Sequence, residues 1–135
     1  MREKKGFTLI ELMVVVAIVS ILAAVVVPMM KGRIDSAKWS EGKAALGTIA
    51  TVLRGYAAEK RSAGTYGPGL PTLETLGFSS EDLQGTYFSI SDYEVSISSF
   101  NSSGTPELTY TLTATAPAGV IPPSVTLDNA GNWTP

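Results

Sequence analysis

"MREKKGFTLIELMVVVAIVSILAAVVVP", residues 1–28, sets a short basic leader against an apolar run that carries a carboxylate, Glu11, near its start. From Leu12 to Met30 only Ser20 and Pro28 interrupt the apolar residues. Written as a helix at about 1.5 Å per residue, that stretch spans roughly the 30 Å of a bilayer's hydrocarbon core. A charge inside lipid is unfavourable, so an intramembrane acid marks function and implies a partner. The partner of Glu11 is therefore the first question. Basic residues ahead of an apolar run also describe a cleaved secretory signal. The run is long for such a signal, no A-x-A site follows it, and without Cys a lipoprotein cut is impossible. The expectation is a span retained in the mature protein. Three bases precede it and four follow closely, so charge counting leaves its orientation open.

Beyond the span the pattern stays helical. Trp39, Gly42, Leu46, Ile49, Leu53 and Tyr56 recur at spacings of three and four, flanked by Ala45, Val52 and Ala57. The opposite face carries Ala44, Thr48, Thr51, Gly55 and Ala58. Small residues there suit either a solvated face or the close approach of another helix. No strong break separates Thr8 from Ala63, so the simplest reading is one helix of over fifty residues stopped by Gly64. Pro28 removes one backbone donor and Gly32 weakens the next turn, which lets the helix bend or open there.

Residues 64–135 read as a small β head. "GTYGPGLP" is a connector, and "TLETLG" and "SSEDLQG" are short helical turns with Thr or Ser caps. "YEVSISSF" puts Tyr93, Val95 and Ile97 on one face. "LTYTLTATA" puts Leu108, Tyr110, Leu112 and Ala114 on one face and four Thr on the other. "NSSG" is a hairpin loop between them, "SVTL" a third strand, and "DNAGN" a turn before Trp133. Three or four antiparallel strands can bury one face against the amphipathic half of the helix. The fold class is thus α+β: a long N-terminal helix, part transmembrane and part amphipathic, packed on a small antiparallel sheet.

Composition narrows the chemistry. In 135 residues there is neither Cys nor His, which removes disulfides, thiolate sites and the commonest general base and metal ligand. No phosphate loop or G-x-S-x-G occurs, and the acids are scattered, so an enzyme is not expected. The aromatics Tyr56, Tyr66, Tyr87, Phe88, Tyr93, Phe100 and Tyr110 read as core. The net charge of −2 hides an asymmetry. Residues 31–63 hold seven bases against three acids, whereas residues 64–135 hold seven acids and no Lys or Arg. The basic segment is expected to meet the acidic one, within a subunit or between subunits. A base-free head also argues against nucleic acid as its ligand.

A basic leader ending in Gly6, then "FTLIE" and an unbroken apolar helix, resembles the prepilin signature of type IV pilins and type II secretion pseudopilins. The match is close over residues 2–30 and only architectural beyond. The resemblance implies residues 1–6 as a cleaved leader, 7–30 as a transmembrane and assembly helix, 31–63 as its amphipathic half, and 64–135 as a small β-sheet head. It implies that a prepilin peptidase cuts between Gly6 and Phe7 and methylates the new amine of Phe7. The leader would face the cytoplasm and the span would sit in the inner membrane until assembly machinery moved the subunit into a periplasmic or extracellular filament. Glu11, fifth after the cut, would meet the N-terminal amine of a neighbouring subunit. Pro28 falls where pilin helices can lose regularity. The implied function is a structural pilus subunit; the alternatives are a pseudopilin of type II secretion, or a minor pilin that adheres or takes up DNA. Many pilins close a C-terminal loop with a disulfide, which this chain cannot do. "LDNAGNW" loosely resembles the calcium-holding endings of major pseudopilins, with Asp128, Asn129 and Asn132 as candidate ligands. By themselves those residues read as an ordinary turn with Asn and Gly in left-handed positions, and no cofactor is expected.

Overall fold

A computed structural model describes residues 6–63, 71–101 and 107–135, with side chains at all of these except 60–63, 99–101 and 107. The chain divides into two compact units at Asp35/Ser36. One helix, α1 (Leu9–Ala63), contributes to both, so the reading of more than fifty helical residues holds. Gly64, most of the connector and most of "NSSG" lie outside the described residues.

In the N-terminal unit every side chain from Phe7 to Ile34 is exposed, and α1 is long and apolar enough to cross a membrane. Ordinary folded surfaces do not present an unbroken apolar segment of this length. Such a surface requires lipid or protein against it. Pro28 lies within α1 without ending the helix. Its missing N–H leaves one carbonyl in the preceding turn without a helical donor. Further on, Ser20 Oγ donates to the Val16 carbonyl at 2.7 Å, so the polar side chain in the run is satisfied by its own helix.

The second unit, residues 36–135, holds the core. Four strands, β1 (Tyr93–Asn101), β2 (Glu107–Thr115), β3 (Ser124–Asp128) and β4 (Trp133–Thr134), form one antiparallel sheet in sequence order. Alternation dictates its two faces. Val95 pairs with Leu112 and Leu112 with Leu127, which pairs in turn with Trp133. The intervening rung runs Glu94, Thr113, Thr126 and Thr134. Apolar rungs can therefore face a helix while hydroxyl and carboxylate rungs face water. A bulge between Ile97 and Ser99 breaks the register of the β1–β2 pair.

The stripe on the amphipathic half of α1 is the other wall of the core. Leu46, Ile49 and Leu53 are fully buried, as are Leu112, Tyr110 and Phe88. Truncating any of those three helix residues to Ala removes about 2–5 kcal/mol, the usual cost of a large-to-small change in a core. Trp39 packs on Phe88 with ring centroids 5.3 Å apart, and its Nε1–H donates to the Pro122 carbonyl at 3.0 Å. Gly42 belongs to the stripe for a steric reason: a Cβ there would lie 3.0 Å from Phe88 Cζ. Ala50 is also buried, one residue beyond the stripe read from spacing. Of the aromatics expected in the core, Phe88, Tyr93 and Tyr110 are buried, but Tyr87 is 47% exposed. Its ring instead lies under Lys38, with Nζ 5.1 Å from the centroid. The small-residue face, Ala44 through Ala58, is exposed.

"TLETLG" and "SSEDLQG" are single hydrogen-bonded turns. Leu76 N–H donates to the Thr72 carbonyl at 3.0 Å, and Ser79 N–H and Oγ both donate to Asp82 Oδ2 at 2.7 Å. Those two hydrogen bonds, from the Ser79 hydroxyl and N–H, hold the Asp82 carboxyl below its usual pKa.

Candidate functional site

The N-terminal stretch builds its site from the chain itself. Gly6, Phe7 and Thr8 precede the first helical residue, and Gly6 and Phe7 are exposed. A Cβ added at Gly6 would meet nothing within 4 Å, and Gly6 is absent from the glycines at positive φ. Among the described residues, neither packing nor backbone conformation therefore demands glycine at that position. The Gly6–Phe7 bond lies in exposed, non-helical backbone, the form in which a peptidase can engage a bond.

Glu11 has a partner that neither its charge nor its setting announced. Thr8 N–H and Thr8 Oγ donate to Glu11 Oε2 at 2.9 and 2.6 Å, and Glu11 N–H donates back to Thr8 Oγ at 3.3 Å. This is a capping box: Thr8 caps the helix, and the acid three residues on satisfies the cap's own N–H. The first turn of α1 also favours a negative group, because its free N–H groups carry partial positive charge. A signal was present in the sequence, since T-x-x-E ahead of an apolar run has this meaning.

The turn at Asp128–Asn132 is closed upon itself. Asn132 N–H donates to Asp128 Oδ1 at 2.8 Å and Asn132 Nδ2 to Asp128 Oδ2 at 2.9 Å. Those bonds, with weaker ones from Ala130 and Gly131, lower the Asp128 pKa. Gly131 adopts φ +89°, the left-handed conformation expected of a turn glycine. Asn129 contributes its carbonyl, which accepts from Arg54 Nη2 at 3.4 Å. Each Asp128 oxygen accepts one bond from Asn132. Among the described residues no group of three or more carboxylates, His or Cys could hold a metal ion.

A second carboxylate was missed by reading the sequence. Glu41, on α1, accepts from three consecutive backbone N–H groups: Thr86 at 3.1 Å, Tyr87 at 2.9 Å and Phe88 at 3.0 Å. Burial pushes its pKa up, but the Tyr87, Phe88 and Thr86 N–H groups outweigh that and leave it below 4.5. The same carboxylate and Asp92 face Tyr93, whose phenol is pushed up to about 12, chiefly by burial. Nothing in sequence spacing links residues 41 and 86–88.

Among the described residues the charge split does not close into ion pairs. No ion pair joins two described side chains, although five described bases and ten described acids are present.

Residues 1–27 match the family described as the prokaryotic N-terminal methylation motif. Similar proteins include the type II secretion system core protein G of Pseudomonas aeruginosa, 51% identical over 55 residues, covering 41% of this chain and 39% of that one. The type IV major pilin protein of Myxococcus xanthus is 45% identical over 58 residues, 43% of this chain and 26% of its own. The type IV major fimbrial protein of Dichelobacter nodosus is 39% identical over 61 residues, 45% and 39% of the two chains. The chain thus covers two fifths or less of each of these relatives. No solved structure matches it. The matched segment includes Gly6, Phe7, Thr8 and Glu11, and the fold is a pilin-like α+β arrangement of a long helix and a four-stranded sheet.

Proposed function

We propose that this chain is a structural subunit of a type IV pilus or pilus-like filament, held in the inner membrane by α1 and assembled through it. The observation that carries the reading is the exposed apolar surface from Phe7 to Met30, interrupted only by Thr8, Glu11 and Ser20, in the segment that bears the methylation motif. Lipid covers it before assembly and neighbouring copies cover it afterwards, so the same surface serves as anchor and as filament core.

In this reading a prepilin peptidase cuts between Gly6 and Phe7, the Phe7 amine is methylated, and the leader faces the cytoplasm. Glu11 then meets the Phe7 amine of the next subunit. Pairing relieves the cost of an acid in an apolar setting and couples extraction to register. Pro28 gives the helix a place to loosen when it leaves the bilayer. The head supplies the filament shell.

The second reading, a pseudopilin of type II secretion, is favoured by the likeness to the Pseudomonas protein. Filaments sheared from the cell surface separate the two. Mass spectrometry of those filaments tests the core of the proposal: the chain should begin at methylated Phe7. Its absence from any filament, or a first residue other than Phe7, would refute it.

A further inference from the structure

Described charges can be sorted by what already holds them. Lys38 lies over Tyr87, Lys43 over the Trp133 ring at 5.7 Å, and Arg54 over Tyr110 at 5.8 Å while bonding the Asn129 carbonyl. Among the acids, Glu11 is held by Thr8, Glu41 by residues 86–88, Asp82 by Ser79, Asp92 by Ser89 and Asp128 by Asn132. Lys31 and Arg33, just past the apolar run, remain exposed without a partner among the described residues. Glu59 on α1 and, on the head, Glu74, Glu81 and Glu94 are exposed in the same condition, whereas Asp35 is buried.

We propose that Lys31 and Arg33 of one copy bind Glu74 and Glu81 of neighbouring copies, forming an electrostatic seam between subunits. The inference rests on the filament reading and names its partner surface. Complementary sign is the first argument: residues 64–135 contain no base, so these acids cannot be neutralised by their own head. Geometry of the helix is the second. Residues two apart lie about 200° apart around an α-helix, so Lys31 and Arg33 point to opposite sides and one acid cannot serve both. A helix with a neighbour on each side uses both. Glu74 and Glu81 sit in the two consecutive turns before β1, Thr72–Gly77 and Ser79–Gln84, which gives the head two separate acidic points. Exposed pairs are individually weak, but they recur at every subunit contact and act together along a filament. Anionic lipid headgroups are the competing partner for bases at the end of a span.

The test uses the full chain in a host that assembles it. Lys31→Glu with Arg33→Glu should lower the yield of sheared filaments at least tenfold while the membrane pool of subunit stays unchanged. Adding Glu74→Lys and Glu81→Lys to that chain should restore most of the yield, because the signs are exchanged and the pairs re-form. Purified wild-type filaments should also dissociate faster in 1 M salt, where the screening length is about 3 Å, than in 0.01 M salt. Normal filament yield from the double reversal overturns the seam. So does a loss that the exchange fails to restore, and a fall in the membrane pool then assigns the bases to lipid. If the unmodified chain forms no filaments, the filament reading itself fails, and that is seen before any variant is made.

Discussion

Gly85→Ala should destabilise the head only while Glu41 is present. A Cβ at Gly85 would overlap the Glu41 carboxylate, with Cγ at 3.1 Å, and Gly85 is not at positive φ, so the backbone accepts alanine without strain. The carboxylate is the far end of a flexible side chain and swings away, losing its bonds to the N–H groups of residues 86–88. Bonds to a charged acceptor contribute about 1.5–3 kcal/mol each when buried. Here two of the three N–H groups are exposed and regain water, and solvent screens the charge, so the whole clamp contributes about 1–2 kcal/mol. In a domain of this size that lowers the melting temperature by roughly 5–15 °C.

Glu41→Ala should cost a similar amount, and Gly85→Ala added to it should cost nothing further. The assay is thermal unfolding of the full chain in detergent, followed by Trp39 fluorescence, since its ring packs on Phe88 beside the clamp. Additivity within about 0.5 kcal/mol would mean that the two residues act independently, and the clamp would be refuted. Acid provides the second readout. The folded pKa of Glu41 lies below its ordinary 4.5, so its contribution is present above that value and is lost as pH falls through the folded pKa. Glu41→Ala should therefore flatten the decline in stability below about pH 4.5.

Other consequences are more direct. A bulky residue at Gly6 should leave uncut precursor in the membrane, seen by mass spectrometry, with insertion and head stability unchanged because nothing packs on Gly6. Gly42→Leu should destabilise the head by about 1–3 kcal/mol through overpacking on Phe88, whereas Gly42→Ala should be near neutral as helix propensity offsets a tight contact. Glu11→Ala should insert normally and assemble poorly, measured as membrane pool against filament yield; normal yield would remove Glu11 from assembly. Calcium or chelator should leave the melting temperature of the head unchanged, and a calcium-dependent rise would place an ion at Asp128 after all.

Periodicity accounts for what the sequence disclosed. The stripe from Trp39 to Leu53 and the alternations in β1 and β2 repeat the geometry of their own elements, so one face of each was readable without a partner. Ala50 and Tyr87 were not, because burial there depends on which element packs opposite. Tyr87 has an aromatic side chain suited to a core, yet its own N–H is held by Glu41 and its ring is left to Lys38. The internal fate of the charges was hidden for the same reason. Composition showed that bases and acids were segregated, and only coordinates showed that aromatic rings and backbone N–H groups, rather than opposite charges, hold most of them.

Glu11 marks the boundary between the two kinds of knowledge. Read as an ion in lipid, it calls for a cation, which under the proposed function is the amine of a neighbouring subunit. The capping box shows that the carboxylate is not bare before a neighbour arrives, because Thr8 N–H and Oγ already bond it. Both donors belong to residue 8, so a cut after Gly6 leaves them in place. A subunit can therefore wait in the membrane with its acid locally satisfied, and a neighbour's amine adds to that arrangement or displaces part of it. Glu11→Ala removes the box and the subunit contact together. Thr8→Val removes only the hydroxyl's share of the box and spares the carboxylate for the amine. If assembly fails in the first and survives in the second, the loss lies in the contact between subunits; equal failure in both would place it in the helix cap.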